Sequence, residues 1–250
     1  MKEQAKKSQA LTVMNFEEDA EGHFQDLTQD DFALPFIKCL SNTSPEINTL
    51  EGARPGLILN SVTQELFDGK QGIEIVPCGY VRQYLEWKAV GSKYPVNIYP
   101  ATSDILSKTH RKPNDTRDWL DNGNYVENTA NHYVMVVGEK IFPGLVVMKN
   151  TQLKKSRQWN SMMQTNTAKR KDGSTYIKPP FSRIYRLSTA AESNDKGNWF
   201  GWKIDKVRDL DEKDLILYKS CKDFATSIKT GGVEIKHTDD KPVVTDDVPF

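Results

Sequence analysis

Between residues 149 and 186 the chain carries Lys149, Lys154, Lys155, Arg157, Lys169, Arg170, Lys171, Lys178, Arg183 and Arg186, against Asp172 as the single acid. Trp159, Tyr176, Phe181 and Tyr185 are interleaved with them. Ammonium and guanidinium groups neutralise phosphates and release counterions, which gives salt-sensitive affinity without sequence preference. Flat rings stack on unpaired bases, at about 1–3 kcal/mol per base, and every base has a π-face. Duplex DNA hides those faces, so cations combined with rings select single strands. The plainer account puts Trp159 and Phe181 in the core and the charges on a solvated face. That account holds more often than not for any one ring, but it does not explain ten cations in one stretch. A second set of such residues is Tyr80, Arg82 and Tyr84, which alternate with Val81, Leu85 and Trp87 after Ile73 and Ile75. This period of two predicts a strand with one aliphatic face and one face showing two rings and a guanidinium.

The formal net charge of zero conceals segregation. Residues 16–31 hold Glu17, Glu18, Asp19, Glu21, Asp26, Asp30 and Asp31 and no lysine or arginine. The end of the chain, TDDKPVVTDDVPF, is acidic again, with a single lysine among four aspartates. A basic body between acidic ends fits a polyanion binder. The tail cannot bury a core and is expected to be disordered. Its tip, Asp246, Asp247, Val248, Pro249 and Phe250, suits an apolar pocket rimmed by Arg or Lys on a partner protein. The tail's aspartates could also fold back weakly on the basic body at high effective concentration, to be displaced by DNA.

Three regions follow from composition: a polar acidic leader over 1–26, a folded body over 27–232, and an interaction tail over 233–250. Within the body, Asp68-Gly69 marks a hairpin turn before the strand from Ile73. Residues 91–130 read as a long loop with one short helix near Asp115–Leu120. Tyr133–Val137 and Phe142–Met148 read as buried strands. From Thr151 the pattern is that of an amphipathic helix, with Leu153, Ser156, Trp159 and Met163 on one side and Lys154, Arg157 and Ser161 on the other. Alternation returns at SRIYRLS, and a capped helix is expected over Val207–Thr230.

Other chemistries find little support. Cys39, Cys78 and Cys221 are isolated and odd in number, and the four histidines show no ligand spacing, so neither a disulfide framework nor a metal or other cofactor is expected. Glu234-Ile235-Lys236, with Asp223 upstream, matches half of a nuclease motif but follows Gly231-Gly232, where rigid support is lacking. Phosphate-cradling and nucleophile-elbow motifs are absent, and no enzymatic activity is expected. There is no apolar run of the ~20 residues a membrane span needs and no signal peptide, so a cytoplasmic location is expected.

The tail tip resembles the Asp-Asp-Ile-Pro-Phe ending of bacterial single-stranded DNA-binding proteins. The body is similar to phage-encoded members of that type in Asp31–Leu40, Glu51–Thr63, Val76–Trp87 and Thr151–Trp159. The resemblance implies a mainly β protein with a few helices, an OB-fold-like barrel with long loops that holds single-stranded DNA in the host-cell cytoplasm. It implies replication and recombination proteins as partners of the tail, and it is compatible with a homo-oligomer. Strand annealing would use the same surface, a metal-dependent nuclease would need Mg²⁺, and a bare adaptor would show no salt-dependent affinity for DNA.

Overall fold

The computed structural model describes residues 33–90, 94–195 and 197–233. Its elements are β1 (Ile37–Cys39), α1 (Glu46–Thr49), β2 (Ile58–Asn60), β3 (Leu66–Phe67), β4 (Ile73–Trp87) and β5 (Asn97–Pro100). Then come β6 (Asp118–Trp119), β7 (Tyr125–Val137), β8 (Phe142–Lys149), α2 (Leu153–Gln164), β9 (Thr167–Lys169) and β10 (Thr175–Ile177). Last are β11 (Arg183–Asn194), β12 (Gly197–Asp209) and α3 (Leu215–Lys229). The protein is mainly β, with every ladder antiparallel.

The spine is the β4–β7 pair, which runs from Glu74↔Val137 to Trp87↔Tyr125. Both strands outreach their other neighbours, and each second edge is therefore shared. On β4 the edge is taken by β11 at Ile73–Ile75 and by β5 at Gln83–Glu86. On β7 it is taken by β8 at Thr129–Val136 and by β6 at Tyr125–Val126. One end of the sheet is thus β12-β11-β4-β7-β8, and the other is an arm of β5-β4-β7-β6. The register of β4 slips between Pro77 and Gly79, a bulge of the kind that a proline and a glycine favour.

Alternation splits the hydrophobic residues between two layers. Ile73, Ile75, Val134, Val136, Tyr185, Leu187 and Trp202 face a core closed by Trp159 of α2 and by Ile37 and Ile58. Val76, Cys78, Tyr133, Met135 and Ile184 face the opposite way, onto Leu217, Cys221 and Phe224 of α3. A smaller cluster of Tyr84, Ile105, Leu120 and Val126 fills the arm.

The three-stranded sheet β1-β2-β3 is clasped over the first layer at both ends. At one end Leu145 N donates to Pro35 O at 2.8 Å, and a Cβ on Gly144 would lie 2.9 Å from Ile37. At the other, Thr189 N donates to Gly69 O at 2.7 Å, and a Cβ on Gly69 would sit 1.7 Å from Gly56 O. None of the three sheets closes into a barrel among the described residues. The closure implied by the resemblance is replaced by these two clasps, because β1–β3 meet the main sheet at points rather than along ladders.

Three other expectations need correction. Asp115–Leu120 is not a helix: Asp118–Trp119 form β6, and Asp115 serves as acceptor for Arg117 N and Trp119 Nε1. Residues 91–130 hold two strands and the start of a third, not one long loop. Val207–Asp209 are still strand, and α3 begins only after the Asp211–Asp214 capping box. The acidic leader, the tail and the Glu234-Ile235-Lys236 motif lie outside the described residues. No helix among the described residues is long and apolar enough to cross a membrane.

Candidate nucleic-acid interface

The amphipathic reading of α2 describes how the helix sits. Ser156 and Trp159 are buried, Leu153 and Met163 pack beside them, and Lys154 and Arg157 are exposed. Trp159 is 0% exposed because it stacks on His132 of β7, at 4.5 Å between centroids, and meets the edge of Tyr185 at 5.8 Å. Trp159 and Tyr185, expected as stacking rings, are therefore core. Tyr84 is also buried, in the arm cluster, and Phe181 packs edge-on to Tyr218 at 5.7 Å. The buried rings of Trp159, Tyr185 and Tyr84 have no face to offer a base, whereas Phe181 is half-buried.

Tyr80 and Arg82 keep their expected place. Tyr80 is 41% exposed and lies 5.0 Å from the His132 ring, on the sheet face that α2 covers. Arg82 is exposed and held by Asn128 Oδ1 at 3.1 Å and by the Tyr84 hydroxyl at 2.8 Å. Tyr84 thus acts through Arg82, which it orients.

The ten cations divide into halves. Lys149 pairs with Glu127, Lys155 with Glu192, Lys178 and Arg183 with Asp209, and Arg186 with Glu74. The Arg183 hydrogen bond, reinforced by Lys178, holds the Asp209 carboxyl below the usual range. Charges matched in this way are committed to the fold. Lys154, Arg157, Lys169, Arg170 and Lys171 have no ion pair with a carboxylate among the described residues, and all five are exposed. They occupy the outer side of α2 and the β9–β10 hairpin that leaves its end. Arg170 also sits over the Tyr176 ring at 5.0 Å, which leaves a half-buried ring beside three cations.

Asn166 makes this a fixed surface. Its backbone O accepts from Lys178 N at 2.7 Å, and its N donates to Met163 O at 3.1 Å. Its side chain donates to Ser182 Oγ at 2.9 Å and accepts from Arg183 at 3.0 Å. One buried amide therefore ties the end of α2, the hairpin base and the start of β11. A lone Asn between two basic runs gave no sequence signal of this. Trp199, half-buried on β12, is likewise a new candidate: its Nε1 donates to Glu192 at 3.0 Å, and Glu192 pairs with Lys155 of α2 at 2.9 Å.

The arm has its own anchor. Glu86, 2% exposed, accepts from Asn97 at 2.8 Å, Tyr99 at 2.6 Å, Asn122 at 3.0 Å and Asn124 at 2.6 Å. Burial opposes its charge, but four donors outweigh it and hold the carboxyl at about 2. His132 Nε2 and Ser156 Oγ lie 2.8 Å apart, a spacing suited to a nucleophile and its base. Both are sealed in the core, however, and Nδ1 has no partner among the described residues, so the pair acts as packing. No group of three or more His, Cys, Asp or Glu among the described residues could hold a metal ion.

Neither the curated proteins nor the solved structures contain a match to this chain. The family model of the Pam3 phage gp34-like protein matches residues 3–234. With the described body falling within that match, the chain belongs to the Pam3 phage gp34-like family and is a phage protein.

Proposed function

We propose that this protein binds single-stranded DNA without sequence preference during phage replication or recombination, and that its acidic C-terminal segment recruits replication proteins. One observation carries the proposal: five exposed cations without carboxylate partners among the described residues lie on α2 and the β9–β10 hairpin, on a base that Asn166 makes rigid. Tyr176 supplies ring surface beside the hairpin cations, Tyr80 on the sheet face that α2 covers, and Trp199 beside the Lys155–Glu192 pair. The rings are few and only partly open, so phosphate contacts supply most of the affinity and stacking the preference for unpaired strands. The antiparallel sheet with its two clasps is read, within this proposal, as an opened OB-type barrel. The host cytoplasm is the corresponding location.

The test is binding of the full chain to labelled single-stranded and duplex oligonucleotides across a salt series. Single strands are expected to bind much more tightly, with a steep salt slope. Replacing Lys169, Arg170 and Lys171 together by alanine removes three phosphate contacts and is expected to flatten that slope by about 2, at about 0.7 per contact. Equal affinity for both forms, or an unchanged slope, overturns the proposal; loss of strands on adding Mg²⁺ would point to a nuclease instead.

A further inference from the structure

The outer side of α3 is graded along its length. Leu215, Ile216 and Tyr218 stand 55%, 78% and 38% exposed at its start, while the inner side buries Leu217, Cys221 and Phe224. Lys219, Lys222 and Lys229 follow, exposed and without a carboxylate partner among the described residues, against Asp223 as the one acid of the helix. An apolar patch of this kind at the head of a cationic stripe marks an interaction surface. The described chain stops at Val233, just past the Gly232 N to Ser227 O hydrogen bond of 2.9 Å that closes the end of the helix.

Residues 234–250 show the same grading in the opposite direction. Asp239 and Asp240 come first, Asp246 and Asp247 later, and Val248, Pro249 and Phe250 last. A segment leaving the end of α3 and turning back along it brings its acids to the lysines and its apolar tip to the apolar start. The reach is ample: 17 residues span up to ~56 Å at about 3.3 Å each, against ~21 Å of helix back to Leu215 at 1.5 Å per residue. Charge alone would also allow the segment to fall on α2 and the hairpin. There, Ile177 is the exposed large hydrophobic residue among the described residues of 149–186, so the tip has little to bury.

We infer that the C-terminal segment of the same chain docks antiparallel on α3, with Phe250 against Leu215, Ile216 and Tyr218. This site lies on the opposite side of the sheet from α2. DNA held on α2 would leave the segment in place, and a partner protein would have to compete with α3 for it.

The experiment uses the full chain with Phe250→p-benzoylphenylalanine, irradiated and mapped by mass spectrometry. Crosslinks are expected within residues 207–222, at a yield independent of protein concentration and unchanged by a single-stranded oligonucleotide. Ile216→Glu, at a position exposed enough to leave the fold intact, is expected to lower the yield at least five-fold, with circular dichroism confirming folding. Crosslinks to α2 or the β9–β10 hairpin, crosslinks between copies, no crosslink, or a yield indifferent to Ile216→Glu each overturn the inference.

Discussion

His132 lies flat on Trp159, with ring planes 22° apart and centroids 4.5 Å apart, and this stack fixes α2 to the sheet. Burial pushes the imidazole down to about 3, so it is neutral in the folded protein at every ordinary pH. The unfolded chain takes up its proton near 6.5, and folding therefore becomes less favourable as pH falls from 6.5 towards 3. At pH 5.5 the loss is about 1 kcal/mol by linkage. His132→Phe should remove that dependence between pH 6.5 and 5, which urea midpoints across the range will read. An unchanged profile would mean that the ring is not sealed.

Glu86 titrates in the opposite regime. Its carboxyl is held at about 2, so its stabilisation is complete above the unfolded value near 4.5 and is lost as pH falls towards 2. Glu86→Gln can accept from only one donor pair, and its new amide faces the other. A cost of about 1–3 kcal/mol is expected. Hydrogen exchange should quicken at β5 and at residues 122–124 before it does in β11.

Paired and unpaired cations should separate cleanly. Arg183→Ala strips Asp209 and Asn166 of a partner and should lower stability by about 1–3 kcal/mol, with the DNA salt slope unchanged. Lys169→Ala should leave stability within about 0.5 kcal/mol and reduce the slope by about 0.7. Denaturation and binding titrations on both variants give the comparison. A slope that falls equally in both would mean that ion pairing does not withdraw a cation from the interface.

Tryptophan emission can locate the strand. Trp119, Trp159 and Trp202 are buried and Trp87 is half-buried at the far end of β4, whereas Trp199 is half-exposed beside the Lys155–Glu192 pair. Quenching by an oligothymidylate should largely disappear in Trp199→Phe and persist in Trp159→Phe. Full quenching in Trp199→Phe would take that ring off the path.

What could be read in the sequence was whatever local pattern controls. The inner stripe of α2, the turn at Asp68-Gly69 and the alternation through Tyr185 each depend on near neighbours. The arm was illegible because its strands are built from Asn, Asp and Tyr, which look like loop until Glu86 gathers Asn97, Tyr99, Asn122 and Asn124. The late start of α3 was hidden because Val207–Asp209 continue a ladder with Arg183 and Ile184. Which cations were free was equally hidden, since Lys178 and Asp209 are 31 residues apart and meet only across the fold. Trp159 misled for a related reason: its partner, His132, is remote in sequence.

The bulge in β4 also resets which side chains share a face. Before it, odd-numbered residues such as Ile73 and Ile75 face the α2 layer; beyond it, even-numbered Tyr80 does, and Val81 turns to α3. Parity along the strand is thus reset by one residue. Losing a single codon at Cys78 would exchange the two sides of the distal half, burying Tyr80 and Arg82 under α3 and presenting Val81 in their place. The side on which Tyr80 and Arg82 stand is therefore set by the number of residues in the bulge as much as by the identity of the side chains.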